Sequence, residues 1–261
     1  MPYFSILIPS YNRPEELRRC IASVLSNSFT DYEIIISDDN SPNSTEIAEA
    51  VLSFGQRENI KFYSQKENLR EPGNKNFLVE VASGKFNIII GDDDTLSDNA
   101  LSLIFNFIED NPGHDIYGLG YTIVDEYGEP LTVHKAPHGI ILNTTQCQKL
   151  ILEAGTLPMT IFHPATFCCR SGLESDFPYR TDIGIGEDLC FIFEIVLAEK
   201  SICIIPKSLF NWRKVQNIDS IEQGNQSAEY LASFESKLLI YDVIANAGRM
   251  SSDIGDYINS R

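Results

Sequence analysis

Continuous apolar runs alternate with amphipathic segments along the first part of the chain. Runs typical of strands buried on both faces of a sheet lie at 4–11, at the start of 32–54, at 60–65 and at 85–94. Segments with helical spacing of apolar residues follow them. They lie at 14–28, in the second part of 32–54 with a start between Ser41 and Ser44, at 73–84 and at 97–113. This strand–helix alternation predicts a parallel sheet with helices on its faces.

Particular residues predict where these helices begin and end. Pro14 suits a first helical position, and Glu15 falls in the first turn, where a carboxylate meets the positive end of the helix dipole. Gly84 predicts the end of the third helix, and Ser97 or Asp98 predicts the cap of the fourth.

The regular alternation weakens after residue 113. The remaining predicted elements are a strand pair within 115–135, helices at 145–154 and 188–200, a strand at 201–206 and a long terminal helix at 227–248. The terminal helix has broad apolar sides, which suit packing on the protein's own core, contact in a homodimer or peripheral contact with a membrane surface.

The chain is strongly acidic, with 20 Lys and Arg against 37 Asp and Glu and a net charge of -17. Phosphate backbones would be repelled by such a charge, so no nucleic-acid partner is expected. An acidic protein is better suited to recruiting divalent cations, although most of its surplus carboxylates are expected on the solvated surface.

Six cysteines occur without any CxxC pair, which argues against a zinc site or a disulfide framework and predicts reduced, buried thiols. The sequence has no basic leader followed by an apolar stretch and no apolar run of about 18 residues. We therefore expect a cytoplasmic protein, with peripheral attachment to the inner face of the membrane as the alternative.

Two acidic clusters follow predicted strands. Asp38 and Asp39 come after the second strand, and Asp92, Asp93 and Asp94 come after the fourth. The carboxyl ends of parallel strands meet at one edge of a sheet, where ligands bind, so a divalent cation could be held there by both clusters. The alternative is that each cluster only caps the helix that follows, although one cap needs one carboxylate.

Three chemistries use such an acidic edge. A phosphate transferase of the haloacid dehalogenase type needs a DxDxT pattern, but Thr95 follows Asp94 directly and is one place early. A response-regulator receiver domain is about half as long as this chain. The third chemistry is sugar transfer from a nucleotide-sugar, with a metal on the diphosphate. The chain contains no Gly-rich phosphate loop.

Several motifs in order resemble the family 2 glycosyltransferases of the GT-A fold. They are "SILIPSYNRPEELRRCIASVLSNSFTDYEIIISDDNS", "ENLREPGNKNFLVEVASGKFNIIIGDDDTL" and "GED", within residues 3–105 and 186–216. The resemblance implies an α/β, Rossmann-like, mostly parallel sheet with flanking helices, a smaller acceptor-side region and a C-terminal helix. It divides the chain into a nucleotide-sugar-binding half (1–105), an acceptor and catalytic-base half (106–220) and a helical extension (221–261).

The same resemblance implies a donor pocket. Pro9, Tyr11 and Asp39 would hold the nucleotide base, with the ring of Tyr11 as a stacking wall and Asp39 accepting a hydrogen bond from uracil. Asn68 and Lys75 match a segment near the nucleotide or its diphosphate. The alternative for Lys75 is a solvated position on a helix face.

The metal motif departs from the family pattern. Counting back from Leu101 puts Gly91 at the usual first aspartate, Asp92 near the ribose and Asp93 at the metal-ligand position. Without that register, Asp92 and Asp94 form a DxD pair on one side of an extended segment. All three aspartates are therefore candidates, with Asp93 favoured as the ligand of Mn²⁺ or Mg²⁺.

The "GED" motif implies that Asp188 is the general base for an acceptor hydroxyl and that Glu187 orients it or the acceptor. The alternative is an ordinary acidic helix N-terminus. Gln216 stands where many members carry a metal-site histidine. The absence of a QxxRW motif favours transfer of one sugar per encounter over chain extension. The residues of 162–171 and 176–184 are expected to form much of the acceptor wall.

These roles together imply an inverting, metal-dependent transferase. Its donor would be a nucleotide-sugar, with UDP as the nucleotide, and its acceptor a saccharide or a lipid-linked saccharide, in the synthesis of bacterial surface polysaccharide. Gly91 and Gln216 favour the alternative of a non-catalytic nucleotide-sugar-binding protein of the same fold. A nucleotidyltransferase is disfavoured because "SYNRPEEL" is not a Gly-rich, basic phosphate loop.

Overall fold

The computed structural model describes residues 1–136, 140–142, 165–182 and 186–213. The strands are β1 (Phe4–Ser10), β2 (Tyr32–Asp38), β3 (Ile60–Ser64), β4 (Phe86–Ile89), β5 (Thr95–Leu96), β6 (Ile116–Val124), β7 (Pro130–His134), β8 (Ile140–Leu142), β9 (Phe167–Arg170) and β10 (Ile202–Arg213). The helices are α1 (Pro14–Leu25), α2 (Ser44–Leu52), α3 (Arg70–Val81), α4 (Ala100–Asp110), α5 (Leu173–Asp176) and α6 (Glu187–Leu197).

The strands form one mixed sheet in the order β3-β2-β1-β4-β9-β6-β10-β5. The pairs β1–β2, β2–β3 and β1–β4 are parallel, which confirms the parallel sheet predicted from the alternating pattern. β9 runs antiparallel between β4 and β6, and β10 is parallel to β6. β5 and β8 pair with β10, and β7 pairs with β6.

The apolar residues of β1 and β2 alternate between two hydrophobic clusters, one on each face of the sheet. Ile6 and Ile34 pack on the α1, α2 and α4 side. Leu7 and Ile35 pack on the α3 and α6 side. Burial on both faces explains why these strands read as continuous apolar runs, and it leaves the polar strand ends at the edge of the sheet.

Several predicted boundaries were wrong. The fourth strand ends at Ile89, before the aspartates, because the chain turns there and re-enters the sheet as β5. Helix α4 begins at Ala100 and is preceded by Asn99 in the left-handed conformation, so neither Ser97 nor Asp98 is its cap. Helix α3 begins at Arg70 and ends at Val81, one turn earlier than the glycine pattern indicated.

Other predictions about elements have different outcomes. The hairpin of β6 and β7 and the helix after "GED" are confirmed. β9 carries two adjacent cysteines, Cys168 and Cys169, and was not predicted. The predicted helices at 145–154 and 227–248 lie outside the described residues, and the division of the chain into 1–105, 106–220 and 221–261 stays a prediction.

Among the described residues, no helix combines the length and the apolar character needed to cross a bilayer. The described cysteines are free and buried, as predicted: Cys20, Cys168, Cys169, Cys190 and Cys203.

Candidate active site

A cleft of about 610 Å³ opens at the carboxyl edge of β1, β2 and β4. Its volume falls within the range of pockets that hold small-molecule ligands. The residues that line it come from strand ends, from α3 and from the segment around β9: Pro9, Ser10, Tyr11, Arg13, Asp39, Asn68, Arg70, Glu71, Asn74, Lys75, Ile89, Gly91, Asp93, Asp94, Ala165, Thr166 and Trp212. Seven of the predicted site residues are therefore brought together: Pro9, Tyr11, Asp39, Asn68, Lys75, Asp93 and Asp94.

Asp39 fixes one side of the cleft. Its Oδ1 accepts a hydrogen bond of 2.7 Å from the backbone N–H of Leu69, which ties the end of β2 to the start of α3. Burial raises the pKa of Asp39, and the neighbouring carboxylate of Asp38 raises it further. Tyr11 is 44% exposed, so its ring is available to a ligand. This side of the cleft therefore offers a carboxylate and an aromatic ring beside each other.

Arg13 occupies the cleft beside the acidic cluster. Its Nη1 donates to Asp93 Oδ2 at 2.6 Å, and its Nη2 lies 2.6 Å from Asp92 Oδ1. Asp92 Oδ1 has no well-aligned hydrogen bond, so its contact with the guanidinium is chiefly ionic. The sequence interpretation missed Arg13, although its place directly before Pro14 at the end of β1 points it to the same sheet edge. Arg13 thus offsets part of the repulsion among the three aspartates.

The three aspartates differ in their surroundings. Asp92 is fully buried, accepts from the backbone N–H of Tyr11 at 3.3 Å and is absent from the cleft lining. Burial raises its pKa to about 7, while the charge of Arg13 opposes the rise. Asp94 accepts from the backbone N–H of Arg213 at 3.0 Å, and burial with the neighbouring Asp93 raises its pKa. Asp93 is the partly exposed member, which suits the ligand position predicted for it.

Gly91 leaves space next to two carboxylates. A Cβ atom at this position would lie 2.9 Å from Asp93 Oδ1 and 3.4 Å from Asp94 Oδ2. The two carboxylate oxygens therefore converge on the space that a side chain at residue 91 would fill. Oxygen donors of this kind fit Mg²⁺ or Mn²⁺. Within the described ranges, no three His, Cys, Asp or Glu side chains form a ready metal site, so ligands from substrate or water would have to complete it.

Lys75 is buried, which contradicts the alternative of a solvated helix face. Its Nζ lies 2.8 Å from Glu71 Oε1 and 2.8 Å from Glu187 Oε1. These two carboxylates raise the pKa of Lys75 against the opposing effect of burial. The ion pair with Glu187 joins α3 to the first turn of α6.

Glu187 and Asp188 form the first turn of α6, directly after Gly186, whose φ of 95° is left-handed. Glu187 is buried and Asp188 is partly exposed. Neither lines the cleft itself, but the contact of Glu187 with Lys75, which does line it, puts the first turn of α6 beside the cleft. Gln216 lies outside the described residues, as do residues 162–164 and 183–184 of the predicted acceptor wall.

Comparisons with known proteins agree on one family. The sequence model described as "Glycosyl transferase family 2" matches residues 5–171. The chain is 35% identical over 117 residues, 44% of its length and 37% of the relative's, to the GalNAc(5)-diNAcBac-PP-undecaprenol beta-1,3-glucosyltransferase of Campylobacter jejuni. It is 22% identical over 255 residues, 93% of its length and 27% of the relative's, to the minor teichoic acid biosynthesis protein GgaB of Bacillus subtilis.

Solved structures agree on the fold. The structure of S. aureus TarS 1-349 in complex with UDP-GlcNAc is similar over 98% of this chain and 70% of that one, with a TM-score of 0.75 and 19% identity. Among the curated relatives, the chain spans from 20% to 48% of their length. These likenesses confirm the α/β architecture of the GT-A type.

Proposed function

The chain belongs to glycosyl transferase family 2, and we propose that it transfers one sugar from a UDP-sugar to a hydroxyl group, with inversion at the anomeric carbon. The observation that carries this proposal is the single cleft that collects Tyr11, Asp39 and Asp93 at the strand ends. The first turn of α6, with Asp188, is tied to the same cleft through Lys75. On this proposal, donor, cation and base groups would act on one bound molecule.

The donor end of the cleft suits a nucleotide. The half-exposed ring of Tyr11 offers a stacking face, and the Asp39 carboxylate can accept from the N–H of a uracil ring. Arg13 and Arg70 also line the cleft and can approach the diphosphate. Asp92, buried beside Tyr11, would act near the ribose by holding the end of β1 in place.

Asp93 and Asp94 are the residues that would hold Mn²⁺ or Mg²⁺. When bound, such an ion neutralises charge on the departing diphosphate, which is Lewis-acid assistance to the leaving group. The convergence of both carboxylates on the open space at Gly91 supports this assignment. Metal dependence would also follow from the acidity of the chain, since a diphosphate needs a compensating positive charge.

Asp188 would supply the base. Its carboxylate takes the proton of the acceptor hydroxyl as that oxygen forms a bond to the anomeric carbon. The bond from this carbon to the diphosphate oxygen breaks on the opposite face, and its electron pair leaves with UDP. Glu187 would orient Asp188 through its own fixed contact with Lys75.

The acceptor is proposed as a saccharide or a lipid-linked saccharide. The names of the relatives support this choice, because one acts on an undecaprenol-linked glycan and another belongs to teichoic acid biosynthesis. A lipid-linked acceptor would bring the protein to the inner face of the bacterial membrane from the cytoplasm. The products would then be surface polysaccharides or related glycoconjugates.

A non-catalytic nucleotide-sugar-binding protein is the second candidate, and Gly91 favours it because the usual first aspartate is missing. Turnover separates the two. The purified protein is incubated with UDP-GlcNAc or UDP-glucose and Mn²⁺, and released UDP is measured with water as the acceptor. We expect the wild-type protein to release UDP, and Asp188→Asn to lower the rate of release at least tenfold. The control Asp98→Asn should leave the rate unchanged, because Asp98 is exposed and lies outside the cleft.

The configuration of the released sugar tests the stereochemistry. Proton NMR during early turnover should show the β anomer first, because both donors carry an α linkage. UDP binding without UDP release would support the binding protein instead, and early α anomer would contradict inversion.

A further inference from the structure

Lys75 is a buried cation held between two helices. It is 3% exposed, and its Nζ contacts Glu71 of its own helix and Glu187, which is 112 residues further along the chain. Glu187 is itself 5% exposed. A buried carboxylate without a partner is strongly destabilising, so Glu187 depends on Lys75 to remain where it is.

The surroundings of Lys75 fix its position. The neighbouring Asn76 exchanges two hydrogen bonds of 2.8 Å with the backbone of Tyr179, one from the Tyr179 N–H and one to its carbonyl. The ring of Tyr179 lies 5.5 Å from Lys75 Nζ, within the range of a cation–π contact. Helix α3 is thus attached to the segment before α6 at two successive residues.

These contacts limit what Lys75 can do for a ligand. The ammonium group has three donors, and two of them face carboxylates at 2.8 Å. A diphosphate would have to compete with both carboxylates for the charge. The neighbouring Asp188 adds a third negative group to the surroundings of the same lysine.

We propose that Lys75 is a positioning residue, which holds the first turn of α6 so that Asp188 faces the donor cleft, and is not a ligand of the donor diphosphate. This inference rests on the proposed function, since it assigns Asp188 as the base. The link runs from Lys75 through the carboxylate of Glu187 to the backbone of residue 188. Lys75 therefore connects the half that binds the donor with the half that removes the acceptor proton.

The test separates donor binding from turnover. Lys75→Met, Lys75→Arg and a matched control, Lys61→Met, are compared in UDP titration and in the Mn²⁺-dependent hydrolysis of UDP-GlcNAc. The Lys61 side chain is 41% exposed and pairs with the buried Glu33 at 2.7 Å, so its loss removes the cationic partner of a buried glutamate outside the cleft. We expect Lys75→Met to lower kcat about 100-fold, the scale of a small misplacement, and to change the Kd of UDP less than threefold. Lys75→Arg should recover most of kcat, and Lys61→Met should change neither value.

A double-mutant cycle and amide exchange test the link itself. If Lys75 acts through Glu187, the double variant Lys75→Met/Glu187→Gln should lose no more kcat than the more impaired of the two single variants. Hydrogen exchange in the first turn of α6 should become faster in Lys75→Met than in Lys61→Met, with or without nucleotide.

Loss of UDP binding in parallel with kcat, additive effects in the cycle, or unchanged exchange in α6 would each overturn the positioning role. The wild-type protein tests the proposed function separately. If it neither binds UDP nor hydrolyses the sugar nucleotide, the donor assignment fails, whereas the exchange measurement still decides whether Lys75 holds α6.

Discussion

At the scale of single residues, the positive partner of the acidic cluster is Arg13. Three consecutive aspartates at a buried strand end predict a cation, and the sequence interpretation assigned that place to a metal ion alone. Arg13 contacts both Asp92 and Asp93 at 2.6 Å, and this pairing joins residues about 80 positions apart. Such a contact follows from the parallel pairing of β1 with β4, which brings their ends together. Spacing along the chain alone does not reveal it.

Replacement of Arg13 by Gln is expected to increase the affinity of the free protein for Mn²⁺ by roughly tenfold, because the guanidinium no longer competes for Asp93. The estimate is modest since the Arg13 side chain is 48% exposed and solvent screens its charge. Calorimetric titration with Mn²⁺ in the absence of nucleotide measures the effect. Arg18→Gln is the control, because Arg18 pairs with Glu15 on the same helix. Equal or weaker Mn²⁺ binding in Arg13→Gln would contradict competition for Asp93.

Glu174 predicts a pH dependence of stability. This carboxyl is buried and accepts from Asn87 Nδ2 at 2.7 Å and from the Tyr179 hydroxyl at 3.4 Å. Burial raises the pKa of Glu174 from 4.5 to about 7, against these hydrogen bonds. The folded state therefore holds a proton that the unfolded chain has released. The free energy of unfolding should fall as pH rises from about 4.5 to 7, by about 3 kcal/mol from this group.

Glu174→Gln should remove this part of the pH dependence, because the amide cannot ionise. Urea unfolding of both proteins at pH 5 and pH 8 measures the difference. Glu58→Gln, at an exposed site, should keep the slope of the wild type. If the free energy of unfolding of Glu174→Gln changes between pH 5 and pH 8 as much as that of the wild type, this carboxyl does not titrate in that range.

At the scale of elements, the pattern of apolar residues predicts the parallel half well and the rest less well. β1 and β2 are covered by hydrophobic clusters on both faces, so their continuous apolar runs indicate buried strands. β9 has the sequence FCCR, and its four residues carry no period that distinguishes a strand from a loop. The start of α4 depends on Asn99 adopting φ of 58°, a conformation that sequence spacing does not reveal.

The entry into α6 yields a prediction about one glycine. Gly186 has φ of 95° directly before Glu187, so a side chain there strains the backbone. Gly186→Ala is expected to reduce the free energy of unfolding by about 1 kcal/mol and to lower UDP-GlcNAc hydrolysis, because the first turn of α6 shifts. Gly113→Ala is the matched control, since Gly113 has φ of 91° and open space around it.

Thermal denaturation and hydrolysis rates are measured on both glycine variants. Similar losses of stability with a loss of hydrolysis only in Gly186→Ala support the role of this turn. Equal losses of hydrolysis in both would mean that the effect is one of general stability.

At the scale of the whole molecule, the sheet brings distant residues to one edge. Asp39 and Asp93 could be predicted as neighbours because each follows a strand end in a parallel sheet, and the family resemblance placed Lys75 near the same ligand. The pairing of Lys75 with Glu187 could not, because it depends on how α3 and α6 pack on the same face of the sheet. The sequence thus predicts which strand ends meet, and tertiary packing decides which charges are already paired.

The overall charge of -17 bears on how the cleft binds a diphosphate. Within the described part of the cleft lining, Arg13 and Lys75 already face carboxylates, and Arg70 is the one further cationic side chain. An added divalent cation is therefore expected to be necessary for tight binding of an anionic nucleotide.

Isothermal titration of the protein with UDP, GDP and dTDP, each with and without Mn²⁺, tests this most directly. We predict that UDP binds at least tenfold more tightly with Mn²⁺ than without it, and more tightly than GDP or dTDP. Asp93→Ala should abolish the Mn²⁺ effect, and Asp188→Ala and Asp98→Ala should keep it. UDP binding that is indifferent to Mn²⁺ and to Asp93, or no binding of any of the three nucleotides, would contradict the assignment of this cleft as a metal-assisted donor site.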